Sequence, residues 1–421
     1  MKEDFLHYLW RNKKFDISNL QTVCGKEIVI INSGVYLKEE GPDFFNAQLV
    51  IENQKWAGNV EIHLKSSDWY VHHHELDANY DNVIFHVVWE HDVDVFRKNN
   101  SSIPVLELEK YVSNVELQKY TYLFESKSWI NCEKDIHQVD LFVFKKWKER
   151  LFFERLEIKT QSIQSFLNKN ENDWEATFFV FLAKYFGLNI NGEAFYKIAV
   201  SIPFSIIRKE QTNLLSLEAL LFGFANLLND EKEDVYYSSL KNQWEYLKTK
   251  YKLNNDDFIN LQFFKLRPDN FPTIRLSQLA VLYHENVNLF SKVIDESKLS
   301  NFYKLFYLEA SEYWKTHYVF DKESKLKSKK LAKSFINLLV INTIVPIKFL
   351  YAKQHGENII DDLIELLIEI PSESNAIIDK FKSFDLKIDS AFDSQTLIHL
   401  KNEYCNPKKC LNCDIGLSLL K

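Results

Sequence analysis

The spacing of apolar residues changes abruptly along this chain of 421 residues. The first 110 residues contain short runs rich in Val, Ile and Leu, separated by Gly, Pro, Asn and Asp, and such runs predict strands. The runs are EIVIINSGVYL, NAQLVIE, NVEIHLK, NVIFHVVWE and IPVLELE. From about Asp140 onward, apolar residues recur at three- and four-residue intervals, which predicts helices. A strand-rich part followed by a helix-rich part indicates the α+β class.

Two local patterns shape the strand-rich part. The opening segment places Phe5, Leu6, Leu9 and Trp10 on one helical stripe, so we expect an amphipathic helix before the sheet. The run VIFHVVW is almost continuously apolar, which is typical of a central strand covered on both faces. We predict an α/β domain with a mixed sheet at 1–135, a large all-α domain at 136–400, and a Cys-rich tail at 401–421 that packs on both.

Composition excludes several protein classes. The net charge of -7 argues against a broadly basic protein that coats nucleic acid, although a local positive groove stays open. We find no apolar run of the roughly 18 residues that a membrane-spanning helix needs, and therefore expect a soluble, cytoplasmic protein. Five cysteines are too few for a disulfide scaffold. Walker, dinucleotide-binding and serine-nucleophile motifs are missing, so the common ATPase, dehydrogenase and serine-hydrolase classes drop out.

A carboxylate pair stands out in the strand-rich part. In NVEIHLK, alternation puts Glu61, His63 and Lys65 on one face of a strand. Asp43 directly precedes the strand NAQLVIE, so a hairpin of the two strands would bring Asp43 near Glu61. Two converging carboxylates suit a hard cation such as Mg²⁺ or Mn²⁺. A basic group two residues beyond the Glu would neutralise a phosphate or orient an attacking water.

This arrangement resembles the PD-(D/E)xK nuclease superfamily, in which a helix precedes a sheet that carries an Asp and then Glu-x-Lys on adjacent strands. The resemblance covers roughly residues 1–110. Carried over by position, Asp43 and Glu61 match the two acidic residues, and His63 stands where the superfamily has lysine. Lys65 is the other candidate for the basic role. The resemblance implies metal-dependent phosphodiester hydrolysis with nucleic acid as the partner.

The chain as a whole resembles a bacterial family known only as a domain of unknown function. The segments that carry this resemblance are LHYLW, GPDFFNA, GNVEIHLKSSDW, an H-x-H-x-x-D run and NVIFHVVW. The resemblance implies no activity, but it places the carboxylate segment within the family signature.

Histidines cluster around the same segment. Six of the twelve fall between positions 63 and 91. We expect His72, His74, Asp77 and His86 to stand beside the carboxylate site or to hold a second ion. The rival hypothesis is a metal centre of His63, His74, Asp77 and His86 that binds Zn²⁺ or Mn²⁺ and hydrolyses a small substrate.

Each of these residues has a plainer interpretation. Glu61, His63 and Lys65 would also suit the solvated face of an antiparallel sheet. Asp43 would suit a simple turn after Gly-Pro, and His72–His74 a solvated loop. A third functional hypothesis follows, namely a non-catalytic scaffold that binds nucleic acid or another protein.

The tail has the spacing C-x4-C-x2-C, formed by Cys405, Cys410 and Cys413. Its CxxC half is typical of a metal knuckle, and the alternative is plain reduced thiols. Cys132 is the best candidate for a fourth ligand and His399 the second, whereas Cys24 suits an ordinary buried position. Four thiolates suit either Zn²⁺ or a [4Fe–4S] cluster. Some members of the nuclease superfamily carry such a cluster on one upstream and three C-terminal cysteines, although here Cys132 follows the acidic segment.

Basic residues in the helical part are candidates for substrate contact. Arg267 and Arg275 flank the turn in LRPDNFPTIR, and arginine binds phosphate with two hydrogen bonds. The alternative is a helix-start loop with one arginine buried in an ion pair. The Lys-rich segments 145–159 and 322–333 are candidate nucleic-acid contacts or, more simply, solvated helix faces.

Overall fold

The computed structural model describes residues 1–37, 40–254 and 259–421. The chain is mixed α+β, with an N-terminal mixed sheet followed by many helices, as the change in apolar spacing predicts. It divides into two compact units. The first comprises residues 1–147, 383–386 and 400–421, and the second comprises 148–382 and 387–399. The Cys-rich tail thus belongs to the first unit.

The helices follow the amphipathic segments of the sequence. In chain order they are α1 (Glu3–Asn12), α2 (Asp68–Val71), α3 (Asn114–Phe124), α4 (Leu141–Lys169), α5 (Trp174–Phe186), α6 (Leu188–Ser201), α7 (Phe204–Glu210), α8 (Leu214–Phe224), α9 (Val235–Tyr251), α10 (Pro272–Glu285), α11 (Leu289–Asp295), α12 (Leu299–Leu305), α13 (Lys333–Leu339), α14 (Val345–Gln354), α15 (Ile360–Ile368), α16 (Ala376–Lys382), α17 (Ala391–His399) and α18 (Asp414–Leu419). The predicted stripe of α1 is buried at all four positions, and Tyr8 is buried with it.

One sheet organises the first unit. Its strands are β1 (Leu20–Gln21), β2 (Glu27–Asn32), β3 (Val35–Tyr36), β4 (Phe44–Ile51), β5 (Gln54–Lys65), β6 (Val83–Glu90) and β7 (Val105–Glu107). The order is β1-β2-β4-β5-β6-β7, and β3 pairs with β4 beside this path. Strands β5, β6 and β7 run parallel to one another, and the other neighbours are antiparallel. The prediction of a mixed sheet is confirmed.

The predicted strands agree with the observed ones in most places. β6 is buried along its first six residues, as expected for a central strand. The run EIVIINSGVYL forms two strands because Gly34 interrupts it with a φ of +90°. A side chain at Gly34 would bring its Cβ within 2.9 Å of the Phe45 carbonyl oxygen. Only glycine combines this backbone conformation with such a close approach.

The second unit packs its helices around one hydrophobic core. It also contains a small hairpin of β8 (His317–Val319) and β9 (Lys322–Glu323), joined through Asp321 with a φ of +60°. The expectation of an entirely α-helical domain is therefore corrected at this point. The hairpin occupies the start of the Lys-rich segment 322–333, where charge spacing alone does not separate a strand from a helix.

One helical stretch of the second unit, Lys333–Gln354, is long and apolar enough to cross a membrane by length and composition. Its mean hydropathy is 1.7, so the expectation that no such stretch exists is wrong. However, 72% of its most apolar window is buried inside the protein, which is what the core helix of a soluble protein shows. This single stretch is consistent with a soluble protein, and the cytoplasmic location stays a prediction.

Candidate functional site

The hairpin of β4 and β5 positions the two carboxylates. Phe44 pairs with Val60 across the hairpin, so Asp43 lies next to Glu61. The backbone N–H of Asp43 donates to Glu61 Oε2 at 3.1 Å, and the backbone N–H of Ile62 donates to Asp43 Oδ2 at 3.0 Å. Each strand therefore holds the carboxylate of the other, and the structure brings Asp43 and Glu61 together.

The face of β5 that carries these groups is closed to solvent. Glu61 is 5% exposed and His63 is 1% exposed, so the solvated-face interpretation is wrong for both. Helices α1 and α2 both pack on β5, and this packing explains the burial. Lys65, by contrast, is exposed and pairs with Glu90 at 3.2 Å. The structure does not bring Lys65 to the carboxylates.

Three histidines converge beside Glu61. His63 Nε2 lies 3.1 Å from His72 Nδ1 and 3.5 Å from Glu61 Oε1. His74 Nε2 lies 3.4 Å from the same Glu61 oxygen. One ring nitrogen of each of the three histidines falls within 4.8 Å of the others, and among the described residues this His group is the one that meets that distance. His72 is exposed, as the solvated-loop interpretation predicts, and His74 is half-buried, yet both rings lie beside His63.

Burial keeps the inner histidines neutral. His63 Nδ1 lies 2.8 Å from His86 Nε2. Burial, and then the neighbouring histidines, lower the pKa of His63 to about 2 and that of His86 to about 3. A neutral imidazole offers a lone pair to a metal ion. When His63 Nε2 is the ligand atom, its other nitrogen must donate to His86, which fixes the ring orientation.

Two buried polar observations test whether a cation fits. His74 Nε2 is buried without a hydrogen-bond partner. Burial and the adjacent Asp43 raise the pKa of Glu61 to about 9, although the Asp43 N–H and His7 act in the opposite direction. At neutral pH the Glu61 carboxyl therefore keeps its proton unless a positive charge sits beside it. The donor set of Glu61, His63, His72 and His74 fits a divalent cation.

Helix α1 adds two residues that sequence reasoning missed. His7 Nε2 lies 3.1 Å from Asp43 Oδ2. Burial disfavours the charged ring, but the contact with Asp43 outweighs it and raises the pKa of His7. Burial and Asp43 raise the pKa of Glu3 to about 7. Glu3 and His7 stand one helical turn apart, and this i, i+4 spacing on the helix that precedes the sheet was the available signal.

The remaining candidates near this site lie at its margin. The Asp77 side chain accepts the Asn79 N–H at 2.9 Å and thereby caps a short 3-10 turn. Its charge still raises the pKa of His74, against the larger lowering effect of burial. The histidine group that the structure brings together is His63, His72 and His74, and Asp77 and His86 of the rival hypothesis are not members of it.

The cysteine tail gathers with Cys132. Burial raises the pKa of Cys132, and the nearby thiols of Cys413 and Cys410 raise it further. Burial and the same neighbours raise the pKa of Cys405. Asn131 Nδ2 donates to Cys410 Sγ at 3.5 Å. Four thiols from two distant segments thus lie near one another in the first unit, with Cys132 and Cys413 buried and Cys405 and Cys410 half-buried.

Two backbone N–H groups influence the last cysteine. Burial raises the pKa of the Cys413 thiol, and the N–H groups of Gly416 and Ile415 act in the opposite direction. A Cβ at Gly416 would lie 2.2 Å from the Cys410 carbonyl oxygen, so only glycine lets α18 approach the knuckle this closely. Donors of this kind are typical partners of metal-bound thiolates. The prediction for Cys24 is wrong, because Cys24 is exposed.

The arginine candidates belong to the second unit. Arg267 is exposed. Arg275 is 7% exposed, its guanidinium donates to Gln278 and Asn270, and it lies 3.7 Å from the Phe335 ring centre. The structure therefore agrees with the interpretation of a buried arginine, except that two side-chain amides take the place of the expected ion pair. A buried Arg275 cannot contact a substrate. His399 also belongs to the second unit, where it lies 3.6 Å from Glu154 Oε2.

Comparison with known proteins places the chain in a family. No curated protein and no solved structure matches it. The model of a family described as a protein of unknown function (DUF2851) matches residues 3–376. This match covers nearly the whole chain and confirms the resemblance that the GPDFFNA and GNVEIHLKSSDW segments carry. The chain belongs to the DUF2851 family.

Proposed function

We propose that the first unit catalyses metal-dependent hydrolysis of phosphodiester bonds in nucleic acid. The observation that carries the proposal is the reciprocal hold on Asp43 and Glu61, whose carboxylates come from neighbouring strands and meet three histidines. The order of helix α1, Asp43 before β4, and Glu61-x-His63 on β5 follows the layout that the nuclease resemblance implies. This part of the support is analogy of layout.

The ligand atoms favour a particular kind of ion. Glu61 Oε1 and the facing nitrogens of His63, His72 and His74 form a mixed oxygen and nitrogen set. Such a set suits Mn²⁺ or Zn²⁺ better than Mg²⁺, which prefers oxygen ligands alone. When bound here, the ion would act as a Lewis acid toward a phosphoryl oxygen and would lower the pKa of a bound water.

The protein groups divide the remaining tasks. His86 orients His63 through the 2.8 Å contact between their rings. His7 Nε2 lies 3.1 Å from Asp43 Oδ2, and this contact raises the pKa of His7 and ties helix α1 to the site. His63 stays neutral and is therefore a ligand, not the cation that a lysine would be at this position. The positive charge that a phosphate needs must come from another residue.

A second candidate function is hydrolysis of a small substrate. The convergence of His63, His72 and His74 favours it, because a histidine-rich centre is common in zinc hydrolases. Both candidates need the same ion, so the substrate decides between them.

The test is a cleavage assay with the purified protein. Labelled single- and double-stranded DNA and RNA are incubated with Mn²⁺, Zn²⁺ or Mg²⁺, beside EDTA controls and a small phosphodiester such as bis-p-nitrophenyl phosphate. We expect cleavage of nucleic acid with Mn²⁺ or Zn²⁺ and none in EDTA. Hydrolysis of the small diester alone would favour the second candidate. If folded, metal-loaded protein hydrolyses neither nucleic acid nor the small diester, both hydrolase candidates are wrong and the scaffold hypothesis takes their place.

Metal affinity should rise with pH. Below about pH 9 the metal-free protein holds a proton on Glu61, and a cation must displace it. Between about pH 6 and pH 9 the apparent affinity for Mn²⁺ should therefore increase by about tenfold per pH unit, and it should level off above that range. Calorimetry in buffers of different ionisation enthalpy measures the released proton. An affinity that stays flat across this range would contradict the assignment of Glu61 as a ligand.

We also propose a structural metal group at Cys132, Cys405, Cys410 and Cys413. Their proximity, the burial of Cys132 and Cys413, and the N–H groups near Cys413 and Cys410 support it. Four thiolates suit either a tetrahedral Zn²⁺ or a [4Fe–4S] cluster, and metal analysis decides between the two.

A further inference from the structure

A groove runs beside the candidate site along helix α1. It consists of two adjoining cavities of about 120 Å³ and about 340 Å³ that share Tyr8, Asn12 and Leu417 as lining residues. All of its lining residues belong to the first unit. The groove therefore follows α1 on one side and the tail helix α18 on the other.

One end of the groove meets the carboxylate site. His7 lines the smaller cavity while its Nε2 contacts Asp43. The Tyr36 hydroxyl lies 3.3 Å from His7 Nδ1, and the Arg11 guanidinium lies 6.0 Å from the Tyr36 ring centre. A series of contacts thus connects Asp43 with Arg11, which stands one helical turn from His7, about 6 Å along the axis.

The groove concentrates positive charge in an acidic protein. Its lining cations are Arg11, Lys14, Lys146 and Lys421, against two acidic residues, Asp4 and Asp414. Within the described parts of the chain, none of the four cations forms an ion pair. The whole chain carries a net charge of -7, so this local excess of cations is a distinct feature. It is also the cationic character that the neutral His63 does not supply.

Aromatic rings accompany the charges. Phe142 lines the larger cavity and is 74% exposed, and Tyr36 lines the smaller one. Tyr8 lines both cavities, and its buried hydroxyl has no hydrogen-bond partner. Of these rings Phe142 is the exposed one, and Tyr36 is half-buried. A groove that combines cations with aromatic side chains is the usual platform for a single nucleic-acid strand, because phosphates pair with the cations and bases stack on the rings.

We infer that this groove binds a single strand of nucleic acid and leads its backbone to Asp43 and Glu61. Arg11 and Lys146 contact phosphates, and Phe142 and Tyr36 stack bases. The inference rests on the proposed function, because it takes the site at Asp43 and Glu61 as the place of cleavage. It adds that the substrate is single-stranded. It also gives the tail a role, because Leu411 and Asn412, between two of the clustered cysteines, form part of the groove wall.

The test measures binding in EDTA, where cleavage does not contribute. A fluorescent single-stranded oligonucleotide of about 12 nucleotides, as DNA and as RNA, is titrated with the full-length protein at several salt concentrations and compared with a duplex. The double variant Arg11→Ala with Lys146→Ala should raise Kd about tenfold. It should also reduce the slope of log Kd against log salt by about 1.4, the effect of two lost phosphate contacts on a single strand.

Two further variants separate charge from stacking. Phe142→Ala should weaken binding about fivefold or more without changing the salt slope. Lys55→Ala removes an exposed cation of β5 that lies outside the groove and should change neither quantity. Unchanged binding in the double variant, no binding by the wild type, or tighter binding of the duplex would overturn the inference. A protein that binds through Arg11 but cleaves nothing would instead refute the proposed hydrolysis.

Discussion

Replacing Glu61 by glutamine is expected to reduce metal-dependent cleavage by about a hundredfold to a thousandfold, the loss typical of removing one preorganised group that stabilises the transition state. Glutamine matches the protonated carboxyl that the metal-free protein holds at neutral pH, where the pKa of Glu61 is about 9. The amide can still accept the Asp43 N–H, so the fold should persist. The measurement is kcat on labelled nucleic acid with Mn²⁺, together with thermal unfolding in EDTA.

The matched control is Glu90→Gln. Glu90 lies on the neighbouring strand β6 and pairs with Lys65 at the surface, so its loss removes a carboxylate without touching the site. We expect this variant to cleave at the rate of the wild type. An active Glu61→Gln protein with full Mn²⁺ affinity would show that Glu61 is structural and that the catalytic centre lies elsewhere.

Replacing Cys413 by serine should release the metal group of the tail and destabilise the first unit. Cys413 is buried, and a serine hydroxyl is a much weaker metal ligand than a thiolate. If the free metal stands about a thousandfold above its dissociation constant, its loss lowers the free energy of unfolding by about 4 kcal/mol. Chemical denaturation measures this change, and metal analysis with the visible spectrum distinguishes iron–sulfur from zinc.

Cys24→Ser is the control for this substitution. Cys24 is exposed, so the variant should keep both its metal content and its stability. The contrary outcome has two parts: anaerobically purified wild-type protein contains neither iron nor zinc, and it is as stable as the Cys413→Ser variant. That result would show that the four thiols are simply reduced cysteines. Because Leu411 and Asn412 line the groove, loss of the metal group should also weaken binding of the oligonucleotide.

Local patterns predicted the elements that carry the site. The stripe of α1 depends on helical spacing alone, and the burial of β6 depends on a continuous apolar run. The approach of Asp43 to Glu61 was also predictable, because the two strands are consecutive and a hairpin fixes their register. The family was evident from the same segment.

The errors have physical reasons as well. Strand alternation predicts that Lys65 shares the face of Glu61, but Lys65 stands at the end of β5, where it is exposed and pairs with Glu90. The flanking prolines made Arg275 look accessible, whereas the core of the second unit encloses it. Helices α13 and α14 are each short. They form the long apolar stretch Lys333–Gln354 because the π-helical turn Val340–Ile344 joins them into one continuous helix.

The sequence by itself determined the α+β class, the strand pair that presents Asp43 and Glu61, and the family, because each depends on residues close together along the chain. Only the tertiary structure decided that His7 meets Asp43, that His72 and His74 turn back onto His63, and that Cys132 joins the tail. A repeating pattern defines the faces of one element. Which faces meet is decided by the packing of elements that are distant in sequence, where burial outweighs local preference.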